Sequence, residues 1–165
     1  RHAPQKRKFS GEPYVNHPIR VRDLVAEFSQ DEELLCAALL HDTLEDTETS
    51  MDELRERFGC RVAELVSQLT SDKNLCLVMG KTEYLIAKMN SMSGEVLLVK
   101  LADRLDNVSD LSLEGERHSW SRAYSKQTYE ILDALDSIFI GPNHRILVNR
   151  IWEKIEPIIT QRYSL

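Results

Sequence analysis

Leu34-Leu35-Cys36-Ala37-Ala38-Leu39-Leu40-His41-Asp42-Thr43-Leu44-Glu45-Asp46 opens with the longest uninterrupted apolar run of the chain and closes on ionisable side chains. The run Leu34–Leu40 is far too short to cross a bilayer. It suits a helix that is apolar nearly all round, which predicts the central, buried helix of the fold over roughly residues 30–43. Ser29-Gln30-Asp31-Glu32, just ahead of it, has the capping-box form with Ser29 at the cap.

The same reading extends outward in both directions. Neither Gly nor Pro interrupts residues 19–58 or 116–140, and long stretches without breakers favour helices. Gly11-Glu12-Pro13 marks a turn. Asn16-His17-Pro18 then places Pro at a first helical position and His17 at the N-cap. Val21, Leu24, Val25 and Phe28 follow at i, i+3, i+4, i+7. Ser50-Met51-Asp52-Glu53 predicts a second capped start, for a short helix ending near Phe58-Gly59. Val62, Leu65, Val66 and Leu69 mark the next stripe. Residues 71–80 read as a loop and Thr82–Met89 as a short helix. Val96–Val99 alone fits a strand, but Leu98, Leu101, Ala102, Leu105 and Val108 continue at helical spacing, so residues 95–112 read as helix. Residues 116–140 and 142–161 complete the set, with a kink expected at Pro157. The fold class is all-α, a single helical domain over residues 1–165, with no repeat and no linker dividing it.

Composition narrows the function. Of 165 residues, 21 are Lys or Arg and 27 are Asp or Glu, a net charge of −6; 42% are hydrophobic and 29% charged. These proportions are those of a soluble globular protein. An acidic chain lacks the basic face of a general nucleic-acid binder, and nothing in it suggests a membrane partner. A small anion is still held where a few cations converge. Cys36, Cys60 and Cys76 are odd in number and widely spaced, fitting neither a disulfide framework nor a zinc knuckle. A reducing, cytoplasmic setting follows. The chain begins at Arg1 without Met, so further residues upstream are expected. Oligomeric state is left open.

The chemistry concentrates at the end of the apolar run. A carboxylate beside a core is costly unless paired or bound to metal, and a helix C-terminus favours a cation. His41 and Asp42 are therefore candidate metal ligands, although a bare His-Asp pair is common by chance. Their surroundings raise the odds. Glu45 and Asp46 lie four residues on, sharing a face if the helix persists and forming an acidic loop if it unwinds. Asp103 follows an apolar run as Asp42 does, with Asn107 at i+4. His17 puts another ligand type at a helix start. Two His with two Asp suit Mn²⁺, Fe²⁺ or Zn²⁺ with positions left for water. No Gly-rich phosphate loop and no nucleophile elbow is present.

Tyr14-Val15-Asn16-His17-Pro18, Ala37–Thr47, Phe58-Gly59 and Val99–Asn107 together resemble the hydrolase domain of RelA/SpoT homologues, within the HD superfamily, and most of all the stand-alone small alarmone hydrolases. The resemblance spans roughly residues 5–135. It implies an HD-domain helical bundle in which His17, His41, Asp42 and Asp103 hold one divalent ion, usually Mn²⁺. Glu45 and Asp46 would form the catalytic acidic pair. Arg7, Lys8, Asn107 and Tyr124 would contact a guanosine polyphosphate, ppGpp or pppGpp, which is cut at the 3′ position to release pyrophosphate. Two positions depart from the family's habit: Asp106, where His or Tyr is common, and Ser109, where Arg is. Losing a cation and gaining an acid predicts weaker phosphate binding. The alternatives are an HD phosphatase for another nucleotide, such as a deoxynucleotide or NADPH, or a catalytically silent nucleotide sensor.

The remaining residues have plainer readings. His2, His118 and His144 are surface or packing histidines, Trp120 and Trp152 core or interface anchors. Tyr124, on spacing alone, is a packing residue.

Overall fold

Gly94–Ser109 forms the helix around which the others are arranged. Ser93 caps it, its Oγ accepting from Val96 N at 3.4 Å, and eleven of its sixteen residues are buried. A computed structural model of the chain describes residues 5–7, 10–111, 118–136 and 140–160. Among these residues there are ten helices and no strand: α1 (Asn16–Ala26), α2 (Glu32–Leu40), α3 (Thr43–Asp46), α4 (Met51–Phe58), α5 (Cys60–Leu69), α6 (Lys73–Met79), α7 (Lys81–Ser91), α8 (Gly94–Ser109), α9 (His118–Asp133) and α10 (Pro142–Thr160). The fold is an all-α bundle. α8 packs against α1, α5 and α10, while α2 packs against α1 and α5. No helix among the described residues is long and apolar enough to cross a membrane.

The central helix is thus α8 and not α2. The run Leu34–Leu40 buries only Leu34, Ala37 and Ala38, and Leu39 is 38% exposed. α8 has packing neighbours on more sides, so its apolar residues face protein in most directions, whereas α2 has one face left to solvent. Leu101→Ala, at a fully buried position, is expected to cost about 2–5 kcal/mol of stability, against less than about 0.5 kcal/mol for Leu39→Ala. Urea unfolding curves of the two variants check this ordering.

Three local expectations also change. Val15, not His17, is the N-cap of α1, and His17 lies inside the helix. Asn16 N and His17 N already bond to Pro13 O and Tyr14 O at 3.1 and 3.0 Å, so the turn after Gly11 runs straight into the helix. Pro18 still falls in the first turn, where its missing N–H is not needed. Asp31, not Ser29, caps α2, accepting from Glu33 N (3.0 Å) and Leu34 N (3.2 Å). Residues 71–80 hold the helix α6, capped by Asp72. It has no fully buried residue, only Cys76 packs partly against the core, and Leu77 and Val78 are each 84% exposed. A helix without a core-facing stripe leaves no periodic pattern to detect.

Other expectations hold. Ser50 Oγ accepts from Glu53 N at 3.2 Å and α4 ends at Phe58. Gly59, at φ 88°, turns the chain directly into α5, a conformation L side chains rarely adopt. α10 continues through Pro157 to Thr160. His144 is a packing histidine: its Nδ1 accepts from Gly141 N (3.0 Å) and its Nε2 meets Gly94 O (2.7 Å), tying α10 to the start of α8. Residues 5–7 lie along 12–14, with Arg7 N donating to Glu12 O and Tyr14 N to Gln5 O, both at 2.9 Å. This pairing carries the N-terminal segment to the edge of the site.

Candidate active site

α2 stops at Leu40 because side chains take over its last carbonyls. His41 Nδ1 lies 2.8 Å from Ala38 O, and Thr43 Oγ1 donates to Leu40 O at 2.6 Å. Such local bonds compete with helical continuation. The chain turns at His41-Asp42 and re-enters a helix at Thr43, so Glu45 and Asp46 sit on a short helical turn and not on a continued α2.

The turn faces α1 and α8. His41 Nε2 is 3.1 Å from Asp42 Oδ2 and 3.8 Å from Asp103 Oδ1. His17 Nε2 is 3.3 Å from Asp103 Oδ1 and 3.6 Å from Asp42 Oδ2. Both imidazoles are buried. A carbonyl only accepts, so the proton of neutral His41 is on Nδ1 and its Nε2 is bare. That buried nitrogen makes no hydrogen bond. A lone pair facing carboxylate oxygens at this range requires a cation or a proton between them. His17, His41 and Asp42 each bring a ligand atom within 4.8 Å of the others, a grouping that could hold a metal ion, and Asp103 Oδ1 stands 3.3 and 3.8 Å from the two imidazoles. Two imidazole nitrogens and two carboxylates suit a borderline divalent ion such as Mn²⁺, Fe²⁺ or Zn²⁺.

The electrostatics agree. Burial opposes charge on His41, but Asp42 and Asp103 outweigh it and push its pKa up to about 10. Burial would raise Asp42, yet the neighbouring His41 holds it down at about 2. Asp103 is likewise held well below the usual carboxylate range, against its burial, by Lys100 and the two imidazoles. Lys100 Nζ binds Asp103 Oδ2 at 2.8 Å and Asn107 Nδ2 donates to Asp103 Oδ1 at 2.6 Å. Tyr14 Oη donates to Asp42 Oδ2 at 2.5 Å. Burial and Asp42 both raise the Tyr14 pKa, which keeps the phenol neutral and donating.

The cluster opens on a cleft of two lobes. One, about 510 Å³, is lined by Glu45, Lys73, Lys81, Lys100 and Arg104 as well as His17, Asp42 and Asp103. The other, about 520 Å³, is lined by Lys6, Arg7, Asp46, Asp110 and Trp120. Tyr14, Lys81, Asn107 and Tyr124 line both. Glu45 and Asp46 therefore face different lobes. Glu45 Oε2 accepts from Ser71 N at 3.1 Å, and Lys73 Nζ reaches Glu45 O at 3.2 Å. Asp46 O accepts from Gln5 Nε2 at 3.1 Å.

Arg7 is buried, with Nη1 donating to Asn107 Oδ1 at 2.9 Å and Nε 3.4 Å from Asp110 Oδ2. Lys8 lies outside the described residues. Tyr124 stacks on Trp120 (centroids 5.0 Å apart, planes at 12°), and the Arg104 guanidinium sits 5.0 Å from its ring centre. Trp120, 45% exposed, is thus part of a cleft wall and not a core anchor. Asp106 and Ser109 are not among the residues lining the two-lobed cleft. They line a separate cavity of about 750 Å³ with Arg20 and Arg150. Neither side chain lines the two-lobed cleft directly, although Asp106 Oδ2 is 3.5 Å from Arg7 Nη2.

Sequence reasoning gave no role to Tyr14, Lys73, Lys81, Lys100 or Arg104. Lys100 was detectable, since it stands at i−3 from Asp103 on one helix. Lys73 and Lys81 were not, because α6 and the start of α7 give no clue to what they face.

An HD-domain profile matches residues 1–135. The chain belongs to the HD-domain family. Among curated HD-domain relatives, the guanosine-3′,5′-bis(diphosphate) 3′-pyrophosphohydrolase of Aquifex aeolicus is 41% identical over 140 residues, covering 79% of this chain and 19% of that protein. The mouse pyrophosphohydrolase MESH1 is 43% identical over 115 residues, covering 68% of this chain and 64% of that protein. The chain thus spans about a fifth of the first relative and just under two thirds of the second. Among solved structures, a metazoan ortholog of SpoT, described as hydrolysing ppGpp, superposes with a TM-score of 0.78 at 30% identity, covering 93% of this chain and 88% of that one. An HD-family site carries a divalent ion, and the donor set found here fits one.

Proposed function

We propose that the chain is a Mn²⁺-dependent guanosine-3′,5′-bis(diphosphate) 3′-pyrophosphohydrolase that converts (p)ppGpp to GDP or GTP and pyrophosphate, with residues 1–165 working as one domain in the cytoplasm. The observation that carries this reading is that His17 and His41 each stand within 3.8 Å of Asp42 and Asp103, beside a cleft lined by Lys73, Lys81, Lys100 and Arg104. Four cations around one cleft, in a chain of net charge −6, select a compact polyanion over a general one. The pyrophosphohydrolase relatives support the same substrate class.

His17, His41, Asp42 and Asp103 would hold the ion. When bound, a divalent ion polarises phosphoryl oxygen and makes water more acidic. The chain's own residues do the rest. The lysines and Arg104 offset phosphate charge through charge-assisted hydrogen bonds. The Trp120–Tyr124 stack offers an aromatic wall for the base, with Arg7 and Asn107 in the same lobe, and Lys8 is assigned to the same substrate. Glu45, fixed by Ser71 N–H, takes the proton of the attacking water, and Asp46 orients the substrate from the second lobe. The water oxygen bonds to phosphorus as the bond from that phosphorus to the 3′ oxygen breaks. The 3′ oxygen takes a proton and pyrophosphate leaves.

Incubation with ppGpp and Mn²⁺ is expected to give GDP and pyrophosphate in equal amounts. EDTA stops the reaction and added Mn²⁺ restores it. Release of orthophosphate instead, or no turnover by folded, metal-loaded protein, overturns the assignment.

A further inference from the structure

The structure assigns to Asp106 the role of a positioning residue for the metal centre: its carboxylate accepts a hydrogen bond from the Nδ1–H of His17 and leaves Nε2 as the bare nitrogen facing Asp42 and Asp103. This inference rests on the metal reading proposed above.

His17 Nδ1 lies 2.6 Å from Asp106 Oδ2. An ionised carboxylate only accepts, so the shared proton belongs to Nδ1 and the lone pair to Nε2. The two imidazoles are thus oriented by unlike partners. His41 leans on a neutral backbone carbonyl, Ala38 O. His17 leans on a charge. A carboxylate behind an imidazole fixes its tautomer and ring plane and makes the opposite nitrogen a stronger donor. The carboxylate behind His17 is therefore expected to make its Nε2 a stronger donor than a neutral carbonyl in the same place would.

Asp106 can play this part only because its charge is held in place. It is 6% exposed, and an isolated carboxylate buried to that degree is costly. Arg20 Nε reaches its Oδ1 at 2.5 Å and Arg20 Nη2 its Oδ2 at 3.2 Å. Arg7 Nη2 is 3.5 Å away. Glu12 Oε1 anchors Arg20 Nη2 at 2.6 Å. The series Glu12, Arg20, Asp106, His17 runs from the N-terminal segment through α1 and α8 to the metal centre. His17 and Arg20 lie three apart on α1, and Asp103 and Asp106 three apart on α8. Each helix therefore contributes one candidate ligand and one residue of the support behind it.

A purely structural ion pair between α1 and α8 would hold the helices together without changing metal affinity. Titration of Mn²⁺ into the unaltered chain, Asp106→Asn and Asp106→Ala by calorimetry separates the two, with circular dichroism reporting the fold. The expected result is a Mn²⁺ Kd weakened about 10- to 100-fold, less for Asn than for Ala. Because loss of Asp106 strands Arg20 and Arg7, the unaltered protein supplies a second readout. Long-range ¹H–¹⁵N spectra of its Zn²⁺-loaded form are expected to show His17 protonated at Nδ1 and metal-bound through Nε2. A folded variant with unchanged Mn²⁺ affinity, or His17 bound through Nδ1, overturns the role of Asp106 alone. An unaltered chain that takes up neither ion overturns the metal reading and this inference with it.

Discussion

His41→Ala is expected to lower ppGpp turnover about 10³-fold. Removing a ligand that shapes the ion's site forfeits several kcal/mol of transition-state stabilisation, on the order of 10³-fold in rate. His41 is the ligand to choose because nothing replaces it: its Nε2 has no hydrogen bond, and Asp42 and Asp103 both lean on it. Without the imidazole the two carboxylates face each other with less compensation, so divalent-ion binding and metal-free stability fall together. The pH dependence has a definite sign. In the metal-free protein the pKa of His41 is pushed up to about 10, above its unfolded value. The imidazolium therefore contributes stability fully below about pH 6.5 and loses it as the pH rises through about 10. A bound ion takes the place of that proton and is insensitive to the loss. The gap in Tm between Mn²⁺-loaded and metal-free protein is accordingly expected to widen between about pH 6.5 and pH 8.5. A constant gap counts against His41 as a ligand. Metal content by elemental analysis, rates and melting curves check the three parts.

Replacing both Glu45 and Asp46 by Ala is expected to lower kcat about 10²- to 10⁴-fold while Mn²⁺ affinity stays unchanged, the range typical of positioned proton transfer. The geometry further divides the pair. Glu45 shares a lobe with His17, Asp42 and Asp103, and Asp46 lines the lobe of Arg7 and Trp120. Glu45→Gln alone should carry most of the kcat loss, and Asp46→Asn should act mainly through KM. Gln is preferred to Ala at position 45 because its side-chain oxygen can still accept from Ser71 N. If the unaltered protein binds nucleotide but turns over no faster than the double variant, the silent-sensor reading replaces the enzymatic one.

Much of this architecture was legible because helices that bury a stripe leave a periodic record. Val62, Leu65, Val66 and Leu69 mark α5, and Leu98, Leu101, Leu105 and Val108 mark α8; all are buried. The capping pattern at Ser50 placed the start of α4. α6 leaves no such record because none of its residues is fully buried and only Cys76 packs partly against the core. The centre was misplaced on α2 because apolar content records what a helix can bury and not how many neighbours cover it.

Linear order alone carried the all-α class, which depends on residues a few positions apart, and marked His17, His41, Asp42 and Asp103 only as candidate ligands by type. Only tertiary structure decided that each of the two imidazoles stands 3.1–3.8 Å from both carboxylates. It also separated Glu45 from Asp46, spent the charge of Arg7 on Asn107 and Asp110, and turned Asp106 away from the cleft onto His17 and Arg20. The physical reason is that a charge takes its function from whichever partner comes within hydrogen-bonding distance. At separations such as the 89 residues between His17 and Asp106, that partner is chosen by how the helices pack.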